Sequence, residues 1–140
     1  MFAFPRSIPR TVSLVLIMIF FTTAGIMHFA MTDFFVAIMP PYLPLHLEAV
    51  YISGVFEILG GVGVMFGATR LYAGYGLLAL LVAVYPANIH MALNPELFPD
   101  TSATALYARL PVQFAALAWV WWATSRERDE SATLDPVAGS

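Results

Sequence analysis

Long apolar runs separated by short polar stretches dominate the chain. Four such runs cover residues 11–31, 49–68, 71–93 and 106–124. Each is close to the length of about 20 residues that a helix needs to cross a hydrocarbon core of about 30 Å. The runs are continuous rather than alternating, and the strands of a membrane barrel would be about half as long. The pattern therefore predicts four transmembrane helices.

Composition supports the same class of protein. Hydrophobic residues make up 60% of the 140 residues and charged residues 11%, and the mean hydropathy is +0.79. A small soluble domain needs more polar surface than this chain supplies, so a soluble globular protein, a disordered chain and a nucleic-acid binder are excluded. The absence of cysteine excludes disulfide exchange, thiolate metal sites and cysteine nucleophiles. The chain is interpreted as an integral membrane protein.

Arginine placement predicts the orientation of the helices, because cytoplasmic loops are enriched in basic residues. Arg109 falls on one side of the predicted membrane, and the other side carries Arg6, Arg10, Arg70, Arg126 and Arg128. We therefore expect an all-α, antiparallel four-helix transmembrane bundle over residues 1–125, multi-pass in the bacterial inner (plasma) membrane, with both termini cytoplasmic. A disordered cytoplasmic tail is predicted at 126–140. The first run is interpreted as a retained helix, with a cleaved signal peptide as the alternative.

Polar side chains inside the predicted spans all fall in the outer half of the bundle. They are His28, Glu57, Asn88, Arg109 and Gln113, with His90 near the same surface. Polar groups inside a membrane are costly, so their segregation is informative. It predicts an outward-facing polar pocket with these five residues as ligand-binding candidates. Asn88 and His90 lie about 200° apart on a regular helix, so Asn88 is expected inside and His90 toward the mouth.

Glu57 is the most informative of these residues, since a charged acid near the middle of a span costs about 2.5–3.5 kcal/mol on insertion scales. Gly54 and Gly61 share its helix face, and their lack of a side chain lets another helix come close. Arg109 is the only outer-half residue of fixed positive charge, which makes it the natural partner of Glu57. Two interpretations remain open: a satisfied network that ties helices together, and a ligand-binding or proton-handling site.

The remaining features add alternatives. His28 and His90 could ligate haem or a metal ion. The residues favour a site without haem or metal over this alternative. The apolar loop after the first helix, from Phe34 to Met39 with the prolines that follow, would form a lid over the outer mouth or an interfacial anchor. The spacing of Gly63 and Gly67 favours helix packing, with a homodimer face as the alternative. A tight turn at Thr69 and Arg70 would make the second and third helices antiparallel neighbours.

Several stretches together resemble the DoxX-like family of small bacterial four-span membrane proteins. They are Ala-Gly-Ile-Met-His-Phe at 24–29, Asp-Phe-Phe at 33–35, the segments 38–44 and 52–61, Tyr-Pro-Ala-Asn-Ile-His-Met-Ala at 85–92, and Arg-Leu-Pro-Val-Gln-Phe at 109–114. The resemblance covers residues 14–122. Met31-Thr32 departs from it, since Asn-Pro is expected before Asp-Phe-Phe.

The resemblance implies a four-helix inner-membrane protein with a link to redox chemistry, because some relatives are named as subunits of a thiosulfate:quinone oxidoreductase. Its motifs include the same five candidates as the depth argument. We expect the pocket to bind a quinone or similar amphipathic small molecule. The alternative is a non-catalytic accessory or scaffold protein for a membrane partner complex. The expected partners are the lipid bilayer and either a membrane protein or a second copy, with no nucleic acid.

Overall fold

The computed structural model describes residue 5 and residues 7–125, and within them the regular secondary structure is helical. The helices are α1 (Ile8–Ala30), α2 (Thr32–Ala37), α3 (His46–Gly63), α4 (Arg70–Leu93) and α5 (Ala103–Thr124), with a 3-10 turn at Pro95–Leu97. The expectation of an all-α protein is confirmed. The predicted disordered tail at 126–140 lies outside the described residues.

Helix α3 is displaced toward the N-terminus relative to the predicted span 49–68. It begins at His46, directly after Leu45 in the left-handed conformation (φ 56°), and it ends at Gly63. Residues 64–69 form the turn to α4, in which the Thr69 hydroxyl donates to the Gly63 carbonyl at 2.7 Å. Gly67 therefore lies outside the helix, so Gly63 and Gly67 do not form a helical packing face.

The four long helices contact one another in antiparallel pairs. Two neighbouring helices run in opposite directions, because residues later in one helix contact residues earlier in the other. The pairs that show this are Gly25 with Gly54 and Thr22 with Gly61 for α1 and α3, Gly60 with Leu77 and Gly63 with Ala73 for α3 and α4, Gly74 with Thr124 and Met91 with Arg109 for α4 and α5, and Arg10 with Trp122 and Ser13 with Trp119 for α1 and α5.

The described chain buries mainly small side chains on α3 and exposes large apolar side chains on its outer surface. The buried positions of α3 are Val50, three glycines and Glu57, while large apolar side chains such as Phe20, Leu59 and Val82 are 60%, 61% and 62% exposed. A buried apolar core lies nearer the N-terminus of α1 than His28 does. It includes Leu14, Ile17, Phe21, Leu77 and Val120. By length and composition, α1 and α4 qualify as membrane-crossing helices.

The Gly25–Gly54 contact should be intolerant of a methyl group. A Cβ at Gly25 would lie 2.6 Å from the Gly54 carbonyl oxygen, and backbone cannot move aside as a flexible side chain can. We expect Gly25→Ala to destabilise the fold by about 1–3 kcal/mol, measured by thermal unfolding in detergent with circular dichroism. Gly76→Ala is the matched control, since no described atom lies within 4 Å of its Cβ. An unchanged unfolding temperature for Gly25→Ala would contradict the packing.

Candidate functional site

The centre of the site is a buried contact between His28, in the last turns of α1, and Glu57, in the middle of α3. The His28 Nδ1 and Glu57 Oε2 atoms lie 3.1 Å apart, and the two side chains are 8% and 11% exposed. When the imidazole is protonated this is an ion pair. Burial of either charge alone would cost several kcal/mol, so each residue makes the other tolerable in an apolar setting.

The Glu57 Oε2 atom of this pair can accept a hydrogen bond from a further group. His28 Nδ1 also lies 2.9 Å from the Ala24 carbonyl oxygen, and that contact has hydrogen-bond geometry. Glu57 Oε2 is buried and forms no hydrogen bond with any described residue, although it lies within ion-pair distance of the ring. The ring nitrogen therefore lies within reach of two acceptors, the Ala24 carbonyl oxygen at 2.9 Å and Glu57 Oε2 at 3.1 Å. A buried oxygen left in this state needs an explanation, and a bound polar group would supply one.

Two glycines bring His28 and Glu57 together. The α1 and α3 backbones approach so closely that a Cβ at Gly54 would lie 2.8 Å from the His28 Cβ. Gly54 lies one turn from Glu57 on the same face, as the sequence predicted. The absence of a side chain at Gly54 and at Gly25 thus sets the distance between the imidazole and the carboxyl group.

The segment between α1 and α3 covers the imidazole. Phe35 of α2 stacks on His28 with ring centroids 3.9 Å apart and an angle of 22° between planes. The Thr32 hydroxyl donates to the His28 carbonyl at 2.9 Å, which ties α2 to the end of α1. Of the stretch expected to form a lid, Phe35 contacts the site, whereas Phe34 is 41% exposed.

The return path from α2 to α3 is held by a contact that the sequence reasoning missed. His46 Nε2 lies 3.1 Å from the carbonyl oxygen of Pro40, and Pro40 is fully buried. The signal available in the sequence was a histidine that closes a proline-rich stretch at the start of a helix. His46 acts on the site only through the position of the covering segment.

Asn88 and Gln113 form a second polar contact, between α4 and α5. Asn88 Nδ2 donates to Gln113 Oε1 at 2.8 Å, and Gln113 Nε2 donates to the Leu81 carbonyl oxygen. Gln113 is buried. Each amide thus has a partner, which fits the interpretation of a network that ties helices together. Pro86 lies inside α4 between the two attachment points of Gln113.

His90 lies apart from this contact, as the 200° angle between it and Asn88 predicts. Its Nδ1 is 3.2 Å from Asn94 Nδ2, and its ring meets Phe98 edge-on with centroids 6.2 Å apart. Both partners belong to the end of α4 and the following loop. His90 therefore does not contact His28 or Glu57 in the described chain.

The expected ion pair between Glu57 and Arg109 is not formed within residues 7–125. Arg109 is exposed, and its Nη1 donates to the Met91 sulfur at 3.6 Å. The expectation was wrong because the glycines beside Glu57 admit α1, so that α1 rather than α5 supplies the partner. The structure thus divides the five candidates into His28 with Glu57, Asn88 with Gln113, and Arg109 by itself.

Comparison with known proteins gives a family but no activity. The family described as domain of unknown function DUF8561 matches residues 17–124, a range that includes every candidate residue. The chain belongs to this family. No curated protein and no solved structure matches it significantly.

The reassigned pairing can be tested by double-mutant cycles on unfolding free energy. For His28→Leu with Glu57→Gln we expect a coupling energy of about 0.5–3 kcal/mol, because the two side chains are in contact. For Arg109→Leu with Glu57→Gln the effects should add within about 0.3–0.5 kcal/mol, since these residues share no partner. A larger coupling in the second cycle than in the first would restore the Glu57–Arg109 pair.

Proposed function

We propose that the protein is a multi-pass inner-membrane protein in which α1, α3, α4 and α5 all span the bilayer as an antiparallel bundle with both termini cytoplasmic. The exposed apolar side chains support this, since soluble monomers rarely expose large apolar patches. Glycine and polar residues at the helix contacts are typical of helices packed in lipid. At 18 and 22 residues, α3 and α5 are about 27 and 33 Å long, close to the thickness of the hydrocarbon core.

The natural absence of cysteine makes the orientation simple to test. Tyr42→Cys places a thiol in the loop after α2, and Ala68→Cys places one in the turn after α3. We expect an impermeant maleimide to label Tyr42→Cys in intact spheroplasts and Ala68→Cys only after permeabilisation. The cysteine-free parent is the unlabelled control. Labelling of both variants, or of Ala68→Cys alone, in intact spheroplasts would contradict the proposed topology.

We further propose that the protein binds a quinone or similar amphipathic ring compound at His28 and Glu57, in keeping with its resemblance to the DoxX-like family. The observation that carries the proposal is the buried Glu57 oxygen that has no hydrogen-bond partner among the described residues and lies 3.1 Å from the His28 ring on which Phe35 stacks. A ligand hydroxyl could donate to this oxygen, and the imidazole could donate to a ligand carbonyl. The flat Phe35 ring stacked on His28 occupies the position that a planar ligand ring would take.

Access to this site requires movement of the covering segment. Helix α2 has no buried residue, so its displacement would break few apolar contacts. A ring that replaced Phe35 would keep the stacking contact with the imidazole and add hydrogen bonds that Phe35 cannot make. In this arrangement Asn88 and Gln113 fasten α4 to α5, and Arg109 contributes positive charge at the outer surface.

Quinone binding should depend on the carboxylate and not merely on a folded helix. We expect Glu57→Gln to weaken saturable binding of a short-chain quinone by about tenfold or more, equivalent to about 1.4 kcal/mol, because the amide keeps only one acceptor oxygen and loses the negative charge that strengthens a hydrogen bond. Glu48→Gln is the matched control, since Glu48 is an exposed acid in the first turn of the same helix. Binding can be followed by isothermal titration calorimetry in nanodiscs.

Two results would overturn this proposal. The first is the absence of saturable binding to the parent protein, and the second is equal affinity of the parent and Glu57→Gln. If Glu57→Gln instead lowers only stability, the His28–Glu57 contact is a structural fastener and the accessory or scaffold function becomes the better account.

A further inference from the structure

The two ring nitrogens of His28 have different surroundings. Nδ1 lies 2.9 Å from the Ala24 carbonyl oxygen, with hydrogen-bond geometry, and 3.1 Å from Glu57 Oε2. A backbone carbonyl can only accept a hydrogen bond, so Nδ1 carries a hydrogen in both the neutral and the protonated imidazole. The structure thereby fixes the tautomer, and Nε2 is the acceptor nitrogen of the neutral ring.

His28 Nε2 has no hydrogen-bond partner among the described residues. The polar side-chain atoms that are fully buried and lack a partner in this part of the chain are Thr22 Oγ1 and Glu57 Oε2, so Nε2 is not enclosed as Oε2 is. Phe35 stacks on the face of the imidazole, whereas the lone pair or hydrogen of Nε2 lies in the ring plane. Phe35 therefore does not take the place of a hydrogen-bond partner at Nε2.

Glu57 Oε2 and His28 Nε2 together leave at least one acceptor without a partner, wherever the proton that this pair can share is bound. Both atoms accept when the imidazole is neutral and the carboxylate is charged. A proton on the imidazole makes Nε2 a donor and leaves Oε2 as an acceptor, and a proton on the carboxyl group leaves Nε2 as an acceptor. A quinone carbonyl only accepts and cannot satisfy such an atom, whereas a hydroxyl both donates and accepts.

We propose that the site binds the reduced, hydroxyl-bearing form of the ring compound, a hydroquinone or related diphenol, more tightly than the oxidised quinone. The inference rests on the proposed function and deepens it by naming the oxidation state of the preferred ligand. A ligand hydroxyl donates to Glu57 Oε2, and the charge of the carboxylate strengthens this hydrogen bond. A hydroxyl at His28 Nε2 donates to the neutral ring or accepts from the protonated one. A quinone in the same place leaves a buried acceptor unpaired, which is unfavourable.

The test compares three ligands that share one fully substituted ring. They are the quinone, its hydroquinone and the dimethyl ether of the hydroquinone, which keeps both oxygens but cannot donate a hydrogen bond. Affinities are measured anaerobically by isothermal titration calorimetry in nanodiscs, and empty nanodiscs correct for partition into lipid. We expect the parent to bind the hydroquinone about tenfold more tightly than either of the others. The reduction potential of the bound two-electron couple should then lie about 30 mV above its value in empty nanodiscs.

Substitutions at the two acceptors should change this preference. Glu57→Gln should lower the affinity for the hydroquinone more than that for the quinone, because the amide loses the charge and gains a donor suited to a carbonyl. The preference should therefore disappear or reverse. His28→Asn keeps an amide nitrogen in place of Nδ1 and removes Nε2, so it should also reduce the preference. Glu48→Gln, at an exposed acid in the first turn of α3, should retain it.

Equal or tighter binding of the quinone to the parent overturns the inference and leaves the proposed function standing, whereas binding of none of the three ligands overturns both. Binding of the dimethyl ether as tightly as the hydroquinone would show that hydrogen-bond donation is not the cause, and would also overturn the inference. An undiminished preference in Glu57→Gln would do the same. The ligand comparison uses the parent protein, so it remains decisive if a variant does not fold.

Discussion

The close approach of α1 and α3 at Gly25 and Gly54 is the contact on which the rest of the site depends. In the membrane arrangement that we propose, helices gain no hydrophobic free energy by leaving lipid for one another, so their association relies on van der Waals contact and interhelical polar contacts. Gly25 and Gly54 provide the van der Waals contact, because without side chains they let the two backbones touch. The same close approach provides the interhelical polar contact, because it brings His28 Nδ1 and Glu57 Oε2 within 3.1 Å. Packing and polar chemistry therefore depend on one distance.

The His28–Glu57 and Asn88–Gln113 contacts differ in what they can do. Asn88 and Gln113 are amides without charge or exchangeable protonation state, and their partners are Gln113 Oε1 and the Leu81 carbonyl. His28 and Glu57 can both change protonation state, and one Glu57 oxygen is left without a hydrogen bond. A contact that only holds two helices together needs no more than uncharged amides such as Asn88 and Gln113. The presence of the titratable pair His28 and Glu57 under a covering segment is what gives α1 and α3 a functional interpretation.

Sequence reasoning recovered the all-helical fold because the helices follow from the length of the apolar runs. It also placed Gly54, Glu57 and Gly61 on one face, and separated Asn88 from His90, by helical angle alone. It gave Glu57 the wrong partner because charge favoured Arg109, whereas the glycines determine which helix reaches the carboxyl group. The end of α3 at Gly63 was not predicted, since it depends on the hydrogen bond of the Thr69 hydroxyl within the following turn, and the left-handed Leu45 before α3 has no signal in the residue type.

The covering segment lies over a buried imidazole although its own helix is lightly packed. Its central helix α2 has no buried residue, and its contact with the site is the stack of Phe35 on His28. Its downstream end is fixed by buried Pro40 and by His46 at the start of α3. A segment anchored at both ends but lightly packed between them can shift locally without unfolding, because local opening costs less where few apolar contacts are broken. In the binding step that we propose, the aromatic ring leaves the imidazole while α1 and α3 keep their own contact, so the imidazole is uncovered without separating the helices that hold it.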